Sequence, residues 1–258
     1  MSTILYENED HKCIKFGDLT LDGEVQSNQF LIIHKKRGVL VDCGGYRIYK
    51  NVLGAMSRYL PAGSLDYIFL SHQDPDIGSG LNLWLPICKA SIMISALWVR
   101  FIPAFCVRGL AEERIVAIPD KGMHFDLAGS PLVAVPAHFL HSCGNFQLYD
   151  PVAKILFTGD LGASLDPHME NIATEEDFEK HVPVMAGFHN RFMPSSRACK
   201  CWVAMVRQLD VEMIVPQHGA RITGKNLVEK FYAWVEQEKT AVDNFSADLF
   251  QLPSGALS

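Results

Sequence analysis

The segment SHQDPDIGSG (Ser71–Gly80) comes directly after an apolar run, so that DYIFLS (Asp66–Ser71) ends where three ligand-type side chains begin, His72, Asp74 and Asp76. The run has the composition of a strand buried on both faces. A polar turn succeeds it, and then a short helix expected from Ser79 to about Leu85. Strand ends along one edge of a sheet are where sites are built on a rigid scaffold.

Three other segments share this placement: HFLHSCGN (His138–Asn145), FTGDLG (Phe157–Gly162) and PQHGA (Pro216–Ala220). Each directly follows an expected buried strand or sits just before the next one. Together the four segments supply His72, Asp74, Asp76, His141, Asp160 and His218, with His138 nearby. A lone His or Asp after a strand ordinarily serves as a turn or capping residue. Six such side chains at strand ends, flanked by small or turn-forming residues, point instead to a shared metal site.

Outward from these segments, the first half reads as short strands at Cys13–Leu19, Gln29–His34 and Val39–Cys43, broken by turn signals at Gly17-Asp18, Asp22-Gly23 and Arg37-Gly38. A helix is expected over Arg47–Tyr59, stopped by Pro61. Strands at Ser91–Ser95 and Arg114–Ile118 flank a helix around Trp98–Phe105. A second strand group follows at Pro131–Pro136, Asn145–Tyr149 and Lys154–Phe157, then helices at Glu175–His181 and Ser196–Leu209. A short strand at Glu212–Val215 and an amphipathic helix at Asn226–Glu238 close the pattern. Two strand clusters, each followed by helices, fit two sheets sandwiched between helices.

The 258 residues are 48% hydrophobic and 20% charged, enough to bury a sizeable core. No repeat, low-complexity tract or linker marks a boundary, so one domain over 1–258 is expected. A net charge of −6 lacks the basic footprint of a nucleic-acid binder. No apolar run reaches the roughly 18 residues of a membrane span. The polar stretch Met1–Glu9 argues against a signal peptide. Seven scattered cysteines without C-x-x-C spacing read as reduced thiols of a cytoplasmic protein. Cys199 and Cys201 are expected to point apart on a helix.

The motifs VDCGG (Val41–Gly45), SHQDPDIGSG, LFTGDLG (Leu156–Gly162) and IVPQHG (Ile214–Gly219) make nearly the whole chain resemble the metallo-β-lactamase-fold proteins, within them the lactamase-like half of flavodiiron proteins. The tracts PAHFLHSCGNFQLYDP and GFHNRFMPSS are similar to the stand-alone oxygen-binding di-iron branch, known for chemotaxis-linked oxygen sensing. This resemblance implies a four-layer αββα sandwich. It also implies two non-haem irons (Fe2+/Fe3+) with a bridging oxygen species. Metal one takes His72, Asp74 and His141, metal two takes Asp76 and His218, and Asp160 bridges them. The lactamase zinc motif is His-x-His-x-Asp-His; here Asp74 and Ile77 stand in place of two imidazoles. Carboxylate in place of imidazole favours iron over zinc.

Much of the flavodiiron family carries Glu where Asp74 stands, so the shorter side chain puts its denticity in question. Ile77 replaces a His that relatives place near metal two, which leaves that metal an open coordination position. His141 has the family's spacing to Asp160; His138 is then outer-shell or structural. Asp42 resembles the fold's structural Asp, bonding the ligand-bearing loop. Gly78, Gly80, Gly159 and Gly219 are expected to permit tight turns or close backbone approach. His189 and Arg191 match positions near the pocket in the stand-alone branch, or form a surface turn before Pro194. Cys143 reads as a buried structural thiol or a redox-sensitive neighbour of His141, and Trp202, Met205 and Leu209 as a core stripe.

Three functions stay open. The first is dioxygen binding and sensing, with a chemotaxis or other signalling protein as reader. The second is oxygen or nitric oxide reduction with electrons from a separate flavodoxin- or rubredoxin-type donor. The third is a hydrolase using metal-activated water, which the missing imidazoles disfavour. Only about 40 residues follow His218 and no glycine-rich phosphate loop is present, so no flavin is expected within the chain. An oxygen-reactive pair without its own electron supply favours a sensor. The resemblance also implies a homodimer.

Overall fold

The computed structural model describes residues 2–21, 23–107, 109, 111–165 and 169–252. The turn expected at Asp22-Gly23 therefore falls partly outside the described residues, at Asp22.

The amino-terminal sheet holds seven strands in sequence order: β1 (Ser2–Glu7), β2 (His11–Phe16), β3 (Gln29–His34), β4 (Arg37–Val41), β5 (Leu65–Phe69), β6 (Ser91–Ser95) and β7 (Ile115–Ile118). The pairs from β1 to β4 are antiparallel, and those from β4 to β7 are parallel. The second sheet is built from β8 (Met123–Leu127), β9 (Ser130–Pro136), β10 (Phe146–Asp150), β11 (Ile155–Gly159), β12 (Asn171–Ile172), β13 (Met213–Pro216) and β14 (Arg221–Thr223). Its spatial order is β12-β14-β13-β11-β10-β9-β8, with β11 parallel to β13.

Strand alternation sorts the core into three interfaces. Phe30, Ile32, Val39, Val41, Phe69 and Met93 meet Leu132, Phe146, Leu148, Ile155, Phe157 and Val215 between the sheets. Their neighbours Leu31, Leu40, Ile68 and Ile92 turn outward onto α1 (Tyr49–Met56), α2 (Pro75–Gly78) and α3 (Leu81–Trp84). On the other side, Val135, Tyr149, Leu156 and Ile214 pack with α4 (Glu175–Phe192), α5 (Ser196–Val206) and α6 (Lys225–Gln237). Helices, sheet, sheet, helices: the four-layer αββα sandwich of the metallo-β-lactamase type is the observed architecture. No helix among the described residues is long and apolar enough to cross a membrane.

Several local expectations shift. The first helix is shorter than expected, with a 3-10 turn before it. Near Trp98 only a 3-10 turn at Ile102–Phe105 forms. The helix expected to end at His181 continues to Phe192 through Pro183. A proline inside a helix costs one backbone bond. The helix survives because Phe178, His181, Met185 and His189 are buried along it and a Thr174/Asp177 capping box closes its start. Trp202 is buried in the core, with Met205 and Leu209 packed against it. Cys199 is buried and Cys201 exposed on opposite faces of α5, and no described cysteine is bridged.

Candidate metal centre

The four polar segments converge at one edge of the sandwich. β5 runs out at Phe69, whose carbonyl accepts from the Asp42 N–H. Asp42 is buried at the end of β4 and accepts from the Ser71 N–H (2.8 Å) and hydroxyl (3.0 Å). Burial, only partly offset by the nearby His72 charge and the Ser71 hydrogen bonds, raises the Asp42 carboxyl to about 6. Ser71 Oγ lies 2.9 Å from Nδ1 of His72. With Nδ1–H donating to that hydroxyl, His72 presents Nε2 to the centre, where it is buried without a hydrogen-bond partner.

Asp74 occupies the N-cap of α2, yet its side chain makes no capping bond. Gln73 Nε2 donates to its Oδ1 (2.9 Å), and Ser142 Oγ donates to Gln73 Oε1 (2.7 Å). That chain ties the His141 loop to α2 and leaves Oδ2 of Asp74 for the centre. Oδ2 lies 3.0 Å from His141 Nε2 and 3.5 Å from His72 Nε2. The two imidazoles hold the Asp74 carboxyl far below the usual carboxylate range. His141 itself sits at φ +84° on a loop where Phe139 is also left-handed (φ +62°). Such non-glycine residues cost energy unless their surroundings over-determine them, and they cluster at functional loops.

Asp160 follows β11, and its two oxygens face different partners. Oδ2 lies 3.8 Å from His72 Nε2 and 3.7 Å from His141 Nε2. Oδ1 lies 3.5 Å from His218 Nε2 and has no hydrogen-bond partner although buried. His218 follows β13; its Nδ1–H donates to the Gln26 carbonyl (2.6 Å), which turns Nε2 inward, 3.4 Å from Asp76 Oδ2. Gly219 (φ +88°) permits this turn, since a Cβ there would stand 1.9 Å from Ser164 Oγ.

Most of these separations exceed the 2.7–2.9 Å expected of charge-assisted hydrogen bonds. They run from 3.0 to 3.8 Å, the shortest two matching and the rest slightly exceeding the roughly 3.0–3.4 Å between donors about 2 Å from a shared cation. Donor atoms of His72, Asp74, His141 and Asp160 all lie within 4.8 Å of one another. Asp76 and His218 lie outside that group: His218 meets Asp160 through its other oxygen, and Asp76 meets His218. Burial works against charge on His72, but the Asp74 carboxylate beside it, with Asp160 and Asp42, lifts it to about 9. For His218 burial is likewise outweighed, chiefly by Asp76, and its value rises. A cation would displace those protons. Three imidazoles and three carboxylates, with His72 Nε2, His141 Nδ1 and Asp160 Oδ1 buried and unpaired, fit a pair of oxygen-preferring transition ions.

The centre opens into a cavity of about 540 Å³ whose wall includes Tyr46, Phe188 and Phe192. Phe188 and Phe192 stack at 4.5 Å, and their ring centroids lie 6.0 and 5.9 Å from that of His141. Sequence reasoning missed both aromatics, as well as Gln73, Ser142 and Gln26. The extension of α4 through Pro183 is what brings the phenylalanines in.

His138 stands apart: its Nε2–H donates to the Asp120 carbonyl (2.8 Å), a structural role. His189 neither lines the pocket nor forms a surface turn. It is buried against Trp234 with both ring nitrogens unpartnered, and burial lowers it to about 4. Arg191 is exposed on α4. Cys143 is exposed rather than buried, and it is its carbonyl that is used, accepting from Trp98 Nε1. Ile77 is fully buried in the core between α2 and the sheet.

A protein-family profile described as "ODP family beta lactamase" matches residues 25–219, a span that includes all six candidate residues. The chain belongs to the ODP family. A solved structure of this family, "Peroxy diiron species of chemotaxis sensor ODP", superposes with a TM-score of 0.83 at 45% identity, covering 94% of this chain and 97% of that one. A mutant flavo di-iron protein from Thermotoga maritima superposes at 0.77 with 17% identity, over 92% of this chain and 60% of that one, and so shares the fold. An uncharacterized protein of Methanocaldococcus jannaschii is 23% identical over 215 residues, 80% of this chain and 52% of that protein. The ODP-family chain thus spans about half the length of the curated relatives it matches.

Proposed function

We propose that this ODP-family protein holds two non-haem irons and binds dioxygen at them as a sensor. His72, Asp74 and His141 would hold one iron, Asp76 and His218 the other, and Asp160 would join them. The observation that carries this reading is the divided carboxylate of Asp160, one oxygen turned to His72 and His141 and the other to His218. The 45% identity to a chemotaxis sensor described with a peroxy di-iron species supports the ligand and the role.

When bound, a ferrous pair supplies two electrons to dioxygen. The chain's own residues set the conditions. Ser71 and the Gln26 carbonyl keep protons on the Nδ1 atoms of His72 and His218, so both Nε2 lone pairs face inward. Gln73 donates to one oxygen of Asp74, and the other faces the centre. Phe188 and Phe192 cover His141 with apolar surface and limit water at the site. Sensing further requires that a partner bind the oxygenated and deoxygenated forms with different affinity. The reader proposed is a chemotaxis-type signalling protein, and the working form a homodimer of single-domain chains in the cytoplasm.

The test is titration of anaerobic diferrous protein with dioxygen, followed optically. A new absorption band that forms at one oxygen per iron pair and persists supports the sensor. Continuous oxygen consumption once a reductant is supplied, with only a fleeting band, identifies a reductase instead.

A further inference from the structure

At the end of the sandwich away from the candidate iron site lies a second group of ligand-type side chains. β10 starts at Phe146, whose N–H bonds the Ser71 carbonyl beside His72, and ends at Asp150. Four residues of strand place Asp150 about 13 Å further along. There Asp150 meets His11 and Cys13, which sit two apart on β2 and so share its inward face. All three are buried to 1% exposure or less. Asp150 Oδ2 lies 2.6 Å from His11 Nε2 and accepts from the Cys13 thiol at 3.2 Å, and Sγ lies 3.7 Å from that same Nε2. The donor atoms lie within 4.8 Å of one another.

We propose that His11, Cys13 and Asp150 form a second metal site, for one divalent ion of the zinc class, that clamps the two sheets together.

One nitrogen, one thiolate and one carboxylate suit a borderline-soft ion better than the hard-oxygen set around Asp160 does. Outer partners already aim two of the three ligands. His34 Nδ1 lies 3.2 Å from His11 Nδ1, which fixes the ring with Nε2 toward Asp150. The other oxygen of Asp150 accepts from the N–H groups of Val152 (3.0 Å) and Ala153 (3.2 Å). The Sγ–Nε2 separation already matches a tetrahedral edge, and Asp150 Oδ2 needs to withdraw from His11 by only about 0.7 Å. On binding, the Cys13 thiol proton leaves to solvent, and His11 carries its proton on Nδ1, where the His34 ring accepts it. A surface recess of about 560 Å³, its wall carrying both acids (Glu7, Glu9, Asp10) and bases (Lys12, Lys35), touches His11.

The probe is Co2+, added to full-length protein stripped of metal. The iron ligands proposed above are all nitrogen and oxygen, so a thiolate-to-cobalt band in the near ultraviolet that depends on Cys13 reports this site. The expected result is such a band, saturating at the intensity of one thiolate-bound Co2+ per chain, abolished in Cys13→Ser and retained in Cys143→Ser. Added Zn2+ should quench it and raise the thermal midpoint. Absence of the band in wild-type protein at saturating Co2+ overturns the proposal without any variant, as does a band that survives in folded Cys13→Ser. Loss of iron binding at Asp160 would leave this result untouched, so the two readings fail separately.

Discussion

The hydroxyl of Ser71 lies 2.9 Å from Nδ1 of His72, and this contact decides which nitrogen of His72 faces the centre. The same hydroxyl donates to buried Asp42 at 3.0 Å, so one side chain links the strand-end aspartate to a metal-facing imidazole. Outer partners of ligating histidines commonly tune metal affinity by about 10–100-fold. Ser71→Ala is therefore expected to weaken iron binding by about that factor while leaving the fold intact. Competition against a coloured chelator measures it, and unchanged affinity would mean that the hydroxyl does not set the ring.

Asp160 and Asp76 should differ in their effect on iron content. Asp160 faces both groups of ligands, whereas Asp76 meets His218 among the six candidate ligands. Asp76→Ala is expected to retain one iron per chain, and Asp160→Ala to lose both. Metal analysis of anaerobically reconstituted protein checks the difference.

Acid stability should depend on His189. In the folded chain, burial lowers it to about 4, against about 6.5 for an exposed imidazole. The unfolded chain therefore binds more protons between these values, so stability is fully present above about pH 6.5 and is lost as pH falls toward 4. The loss amounts to about 3 kcal/mol across that window. Both ring nitrogens lack partners, so His189→Phe is expected to flatten the acid limb. Denaturant unfolding of both proteins at pH 5 and pH 7.5 isolates the effect, because the metal-facing groups titrate alike in each.

The stacked Phe188–Phe192 pair should govern how long the oxygenated state lasts. Aromatic pairs of this geometry contribute about 1 kcal/mol beyond their buried area. Phe188→Ala uncovers His141 and is expected to shorten the lifetime of the oxygen-dependent band by about fivefold. Rapid-mixing absorption spectroscopy of the variant and wild type makes the comparison.

The residues facing the centre were legible in the sequence because each follows or precedes a strand whose apolar run is plain: Phe69 before Ser71, Phe157 before Asp160, Val215 before His218. Asp42 was legible for the same reason, and its bonds to Ser71 match the expectation. Strands with mixed patterns, β1, β8, β12 and β14, were not. Their faces are only partly covered, which leaves the alternation weak, and β12 spans two residues. The aromatic wall was hidden because Pro183 reads as a helix end, while packing of His181, Met185 and His189 carries the helix onward. The tie from Ser142 through Gln73 to Asp74 joins residues 69 apart in sequence, and no local pattern encodes it. Cys143 reads as buried because free cysteines usually are, yet it is exposed on a loop where Phe139 and His141 are left-handed.

The most direct test of the central claim, that the Asp160 carboxylate joins two iron positions, is Mössbauer spectroscopy of the iron-loaded, oxidised protein in zero and applied field. Two ferric ions coupled through a bridge give a diamagnetic ground state at two irons per chain, and that is the result predicted. Magnetically isolated high-spin ferric ions, or one iron per chain, would contradict it.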